Sequence, residues 1–233
     1  MAVIALDSSF KTCSVAVRTP AGRDVSFCET PEGGSGADVL VRLIRSALDE
    51  AGIDGRGLET IVVTDGPGTF TGQRAAISAA QGLKLASNAT AFQIGSLEAT
   101  ALTALAHRLL GDLGAAPFAI VVDARRSGAY VQSFDEAAQP RSECWLLGVE
   151  DVPDWLGGHG GTVLTPDTKW LTGIAGPDAA QLYVRALREP AISAKALLDA
   201  PARRSLAPVD KLRPHYFRKP DAAPARKVAR AGQ

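Results

Sequence analysis

Cysteine and histidine are both scarce in this chain of 233 residues, three of each. Cys13, Cys28 and Cys144 are odd in number and far apart. No disulfide framework and no zinc-ligand spacing follows, and a reducing compartment, the cytoplasm, is expected. His107, His159 and His215 are equally scattered. No two stand four apart, the spacing that sets two imidazoles on one helix face to grip a metal. Excess charge is lacking too. Lys+Arg and Asp+Glu are 25 each, so the formal net charge is zero. That excludes a chain that holds nucleic acid by bulk electrostatics alone. No apolar run reaches the ~18 residues of a membrane span. Met1-Ala2-Val3-Ile4-Ala5-Leu6-Asp7 has no basic stretch before its apolar residues, so no signal peptide is expected either. What is present is a hydrophobic share of 46%, enough for a real core, on a length that suits one large or two small domains.

The chain turns on Thr64-Asp65-Gly66-Pro67-Gly68-Thr69-Phe70-Thr71-Gly72-Gln73-Arg74. The apolar run Ile61–Val63 precedes it and an Ala-rich, proline-free run follows, so it reads as strand, tight turn, helix. Gly66, Gly68 and Gly72 permit backbone angles that a side chain forbids, Pro67 stiffens the turn, and Thr71 is placed to cap the helix. Such a turn is either plain structure or an anion cradle at a helix N-terminus. It is not a Walker loop, because no Gly-Lys-Ser/Thr follows.

Read in order, the apolar run Val3–Leu6 predicts a strand buried on both faces. Thr12–Arg18 and Val25–Glu29 predict two more, in a meander. Ser35 and Asp38 make a capping-box-like start for a helix through Ala51, with Leu40, Leu43, Ile44, Ala47, Leu48 and Ala51 at helical spacing. Gly52 stands where a C-terminal cap belongs. On the helix after the glycine-rich turn, Ala75/Ala79 and Ala76/Ala80 are small residues four apart, fit for close packing on the sheet or on another chain. Ala91–Ile94 predicts a fifth strand, and Ser96 a cap for a helix through about Leu110.

The pattern then restarts. Ala119-Ile120-Val121-Val122-Asp123 repeats the layout of Val3-Ile4-Ala5-Leu6-Asp7 at an offset that needs no gap, and Ala129–Phe134 takes the place of Cys13–Arg18. A third strand is expected at Glu143–Leu147, another at Thr162–Leu164, and helices at Pro177–Leu187 and Ala191–Ala200. Gly157-Gly158-His159-Gly160-Gly161 reads as a mobile loop. Two halves that each open strand, Asp, turn, strand predict a duplicated α/β unit. The division expected is residues 1–97, residues 98–215, and a basic tail from 216 to 233; over residues 211–233 seven Lys/Arg, Lys211 and Arg213 among them, stand against one acid, Asp221, and either touch RNA phosphate or are simply solvated.

The duplicated halves with an acid after the first strand resemble the actin-like ATPase superfamily (ASKHA, ribonuclease H-like). Within it, Asp65 to Arg74, then Gly82-Leu83, then Gly95-Ser96-Leu97-Glu98-Ala99 resemble the bacterial TsaB (YeaZ-type) family of tRNA threonylcarbamoyladenosine biosynthesis proteins. Ile4–Ser9, Cys13–Val17, Val122–Arg125 with Tyr130, and Pro214-His215-Tyr216-Phe217-Arg218 fit the same family. The resemblance implies two lobes, each with a mixed sheet and flanking helices. It implies a non-catalytic subunit of the complex that adds threonylcarbamoyl to N6 of the adenosine beside the anticodon, in tRNAs reading codons that begin with A. The partners it implies are the transferase TsaD and the ATPase TsaE, with tRNA met through the complex, no membrane, and a homodimer when the chain is alone. The docking surface would be the helices Ala37–Ala51 and Thr71–Ala86, through Asp38, Arg42, Arg45, Phe70, Thr71, Arg74, Ala75, Ala76, Ala79 and Leu83. No tightly bound cofactor is implied; ATP or ADP at the junction between subunits is left open. Two positions depart from the family: Gly36-Ala37-Asp38 replaces a His-Ser pair, and Gln73 replaces a small aliphatic residue, either adjusting the interface or facing water.

Catalysis by the chain itself finds little support in its residues. Neither a zinc pair nor a Ser/His/Asp order marks a peptidase. Asp7 and Asp123, with Ser8 and Ser9, are the candidates for a nucleotide site, since acids so placed position Mg²⁺ and phosphate in actin-like kinases. The other reading is that they hold turns by capping backbone donors. A small-molecule kinase and a stand-alone RNA-binding protein are the rival functions.

Overall fold

The computed structural model describes residues 1–32, 36–107, 117–125, 128–158, 161–175, 183–187 and 191–217. In chain order the first part runs β1 (Val3–Asp7), β2 (Cys13–Arg18), β3 (Asp24–Glu29), α1 (Gly36–Ala51), β4 (Thr60–Gly66), α2 (Phe70–Ser87), β5 (Thr90–Gly95) and α3 (Ser96–Ala106). The second runs β6 (Phe118–Asp123), β7 (Gly128–Phe134), β8 (Trp145–Gly148), α4 (Val152–Gly157), β9 (Thr162–Thr165), α5 (Thr168–Ala175) and β10 (Tyr183–Ala186), then the short turns α6 (Ala194–Leu197) and α7 (Ala200–Arg203). Among the described residues no helix is long and apolar enough to cross a membrane.

The two sheets share one topology. The first has the order β3-β2-β1-β4-β5, the second β8-β7-β6-β9-β10. In each, three strands form an antiparallel meander and two more add in parallel. The repeat predicted from the sequence is therefore a repeat of fold, with one amendment. Asp7 faces Ser14 across the first hairpin, but Asp123 faces Ala129 across the second. The second turn is one residue shorter, so the alignment of β2 with β7 does need a gap.

β1 is buried on both faces because alternate side chains feed two cores. Ile4 and Leu6 join Leu40, Leu43 and Ala47 of α1 and Ala76, Ile77 and Ala80 of α2. Val3 and Ala5 point the other way, to Ala99 and Leu102 of α3. Apolar residues stand on every side of α3, as burial between two sheets requires, with Ser96, Glu98, Thr100 and Thr103 set among them. Its Leu97, Ala101 and Ala104 pack on Phe118, Ile120 and Val122 of the second sheet. One helix thus lies between the two sheets, and a boundary at residues 97 and 98 would cut through it.

Several expectations are corrected. Residues after 191, expected in the second lobe, return to the first: Ile192, Ala194, Leu197 and Leu198 pack under Val3, Ala16 and Val62, while Leu212 and Val209 join the α1/α2 core. Apolar spacing identifies a buried face but not which sheet it will meet. The helix expected over Pro177–Leu187 is contradicted by β10, which pairs in parallel with β9; residues 176–182 lie outside the described residues. A short apolar run does not distinguish strand from helix, and an open parallel edge decided it. The helix expected over Ala191–Ala200 is two short turns, with Pro201 in the first turn of α7. Thr69, not Thr71, caps α2, its hydroxyl accepting from Gly72 N–H. Ser96 is the first residue of α3 and not its cap. Ser35, His159 and the tail from 218 onward lie outside the described residues.

Candidate functional site

The glycine-rich turn is held against the turn after β1 at contact distance. Thr69 N–H donates to the Ser9 carbonyl at 2.7 Å. A side chain at Gly72 would run into the Ser8 carbonyl, and one at Gly68 into the Ser9 carbonyl. Gly66 has φ +124° and lies under the His215 carbonyl, so it needs both the left-handed freedom and the space. Close approach of two backbone turns is what these glycines serve.

Below that contact runs a one-way chain of hydrogen bonds. Ser96 Oγ donates to Ser9 Oγ at 2.8 Å, Ser9 Oγ to Thr64 Oγ1 at 3.0 Å, and Thr64 Oγ1 to Asp7 Oδ1 at 2.7 Å. Asp7 Oδ1 also accepts from Ser9 N–H at 3.1 Å. Asp7 is buried, and its Oδ2 has no partner. Burial pushes its carboxyl up to about 6 against the opposing pull of Thr64 and Ser9. Ser8 Oγ lies 3.5 Å from Cys13 Sγ, also buried. Asp123 holds its own turn: Oδ1 accepts the N–H of Arg125, whose φ is +61°.

Three of the four candidates for a nucleotide site are engaged internally. Asp7, Ser8 and Ser9 are turned into the scaffold, and the Thr69 N–H that could cradle an anion is taken by Ser9. The capping role weighed for Asp7 and Asp123 is the one that the geometry displays.

The expected docking residues are sorted by the flanks of α2. Ala75, Ala79 and Leu83 are half-buried on the core shared with α1, and Leu83 reaches the Gly55 turn that follows α1. Asp38, Arg42 and Arg45 are exposed along α1, Arg42 pairing with Glu29 at 2.6 Å. Val41, 56% exposed, adds apolar area to this shoulder. Ala76 is corrected: it is 0% exposed and lies beneath the helix, out of reach of any partner. Gln73 is corrected as well. It is buried beside Gly66 instead of facing water, with Oε1 unpartnered.

Phe70 and Arg74 take the opposite flank, with exposed Thr71 between them in sequence. There a strap of residues 209–217 runs beside α2. Lys84 Nζ donates to the Val209 and Asp210 carbonyls, Gln81 to that of Leu212, and Arg74 Nε to the Tyr216 hydroxyl at 2.9 Å. Further on, His215 N–H donates to the Asp65 carbonyl at 2.7 Å, and the Phe217 ring meets Tyr130 of the second lobe at 5.6 Å. Burial raises Asp65 to about 6, with His215 pulling the other way. The sequence signalled these strap residues only through the family motif, since Arg74 and Tyr216 are 142 positions apart.

Two ribonuclease H-like lobes of identical strand order, packed on one shared helix, make this a protein of the actin-like ATPase fold. Within that class it is similar to YeaZ from Pseudomonas aeruginosa, with a TM-score of 0.72 and 28% identity over 93% of this chain and 99% of that one. A second structure from Pseudomonas aeruginosa, an uncharacterized protein with similarity to peptidase YEAZ, gives 0.74 and 27% over the same shares. Residues 37–143 match the family described as TsaD: tRNA N6-adenosine threonylcarbamoyltransferase. No curated protein matches the chain. The resemblance to the TsaB (YeaZ-type) family, carried in the sequence by scattered motifs, thus extends over both lobes.

Proposed function

We propose that this chain is a partner subunit, not the catalyst, in forming threonylcarbamoyladenosine in tRNA. It docks the transferase TsaD through α1 and α2, with the ATPase TsaE joining, in the cytoplasm. Alone it pairs with a second copy through the same face. ATP or ADP, where it takes part, sits at the junction between subunits and not in this chain's own cleft. The observation that carries the reading is the exposed shoulder of α1 and α2, where Val41, Ala75, Ala79 and Leu83 lie among polar residues at the edge of a finished core. Support comes from the match of residues 37–143, which span both helices, to the family named for the transferase. The small-molecule kinase reading is disfavoured, because Asp7, Ser8 and Ser9 are engaged internally.

The test is reconstitution with omission. This chain, the transferase, the ATPase, tRNA, threonine, bicarbonate and the enzyme that makes the adenylate are combined, and each protein is left out in turn. Modified tRNA should disappear when this chain is omitted. Undiminished product without it would refute the reading.

A further inference from the structure

Where the strap passes α2, the chain builds a small aromatic and basic surface. Phe70 and Tyr216 are 40% and 38% exposed, with ring centroids 5.3 Å apart. The Arg74 guanidinium lies over the Phe70 ring, 3.8 Å from its centroid, and also holds the Tyr216 hydroxyl. The two rings are therefore fixed relative to each other by contacts that leave part of each uncovered. The strap behind them is fixed as well, through Lys84, Gln81 and Asp65.

Charge along the strap is mostly basic, although the largely buried Asp65 faces His215 from β4. Lys211, Arg213 and His215 are exposed along the strap, and Asp210 is the single acid of residues 208–217. Among the described residues no carboxylate pairs with Lys211 or Arg213; Arg213 is engaged through its backbone, by Gln93. Prearranged rings beside unpaired cations suit a ligand of flat bases linked by phosphates. A protein partner would use the rings but would leave the cations without a counter-charge, so a polyanion is favoured.

We infer that this surface holds a single-stranded stretch of RNA, bases against Tyr216 and Phe70 and phosphates toward Arg213 and Lys211. The inference rests on the reading above only for its choice of RNA. It is independent of α1 and of the flank of α2 that carries Ala75, Ala79 and Leu83.

The test uses the full chain alone, with fluorescence anisotropy on a labelled anticodon-arm hairpin and on a fully paired RNA duplex. The hairpin, with its unstacked loop bases, should bind and the duplex should not. Phe70→Ala and Tyr216→Ala should each weaken hairpin binding by roughly tenfold and leave the salt dependence unchanged. Tyr216→Phe, which keeps the ring, should bind like the wild type. Arg213→Gln should lower the slope of log affinity against log salt by roughly 0.7, the value for one single-strand phosphate contact. Thermal midpoints check that each variant is folded. Equal affinity for hairpin and duplex, no binding by the wild type, or folded ring variants that bind as the wild type does would each overturn the inference. Hairpin binding by the wild type that is lost in the ring variants, together with an omission assay that shows no need for this chain, would retain the site and remove the subunit role. The reverse pair of results would do the opposite.

Discussion

Thr64 Oγ1 donates to Asp7 Oδ1 at 2.7 Å, closing a chain of hydroxyls that begins at Ser96 on the helix between the lobes. The acceptor is a buried carboxyl whose second oxygen has no partner. Its ionised form is therefore held at a cost, and that cost can be measured.

Burial raises Asp7 from 3.8 to about 6. A carboxyl that binds its proton more tightly in the folded chain contributes stability below about pH 4 and loses it as the pH rises through about 6. Asparagine imitates the protonated form. The stability of Asp7→Asn relative to the wild type should therefore climb across that window, by about 3 kcal/mol at neutral pH. Thermal unfolding of both proteins across the window checks this, and a pH-independent difference would contradict it.

Ala79 and Ala76, three residues apart on α2, should respond in opposite ways to arginine. Ala79 is half-buried at the edge of the shoulder, so Ala79→Arg should keep the thermal midpoint and abolish pairing with the transferase in sedimentation. Ala76 is sealed beneath the helix. Ala76→Arg places an unpaired charge in the core and should cost about 3 kcal/mol or more, whatever partner is present.

Gly72 and Gly82 share the same helix and should also diverge. A methyl group at Gly72 meets the Ser8 carbonyl, which is backbone and cannot swing aside. Gly72→Ala should destabilise by about 1–3 kcal/mol, as overpacking does. Gly82 is exposed with nothing within 4 Å. Gly82→Ala should stabilise by about 0.5–1 kcal/mol through helix propensity and a less flexible unfolded chain. Urea midpoints of the two variants test both signs.

Arg204 ties the returning segment to the second lobe. Its side chain is 2% exposed, Nη1 donates to Gln139 Oε1 at 2.8 Å, and Nε lies 3.6 Å from Glu98 Oε2. Nε and Nη2 find no hydrogen-bond partner, burial lowers the guanidinium's pKa, and burial raises that of Glu98. Glu98→Gln removes the counter-charge and should cost about 3 kcal/mol. Adding Arg204→Met should recover most of that loss, because an apolar side chain needs no counter-charge. A double-mutant cycle without coupling would show that the pair does not act as a unit.

Much of the architecture could be read from the chain. Ile4 and Leu6 alternate with Val3 and Ala5 in a run with no polar position before Asp7, and burial on both faces is the outcome such a pattern demands. The repeat of that strand ending in Asp123 announced a second lobe. The site was less legible. Asp7 could be assigned either a phosphate or a turn, because a carboxylate at a strand end serves both, and its burial decided between them. Ala76 and Ala79 have the same side chain and neighbouring positions, so composition could not separate the face under α2 from the face beside it. The helical rotation of α2 against the sheet does separate them.

By itself the sequence determined periodicity: where β1 to β9 and α1 to α3 run, which turns need glycine, and that the unit occurs twice. These depend on neighbours a few residues away, whose chemistry is local. Only the tertiary structure decided that residues 191–217 cross back to the first lobe, that Tyr216 lies on Phe70, and that Gln73 points inward. Those outcomes depend on which of several apolar surfaces a distant segment can reach and bury, and no spacing along the chain encodes that choice.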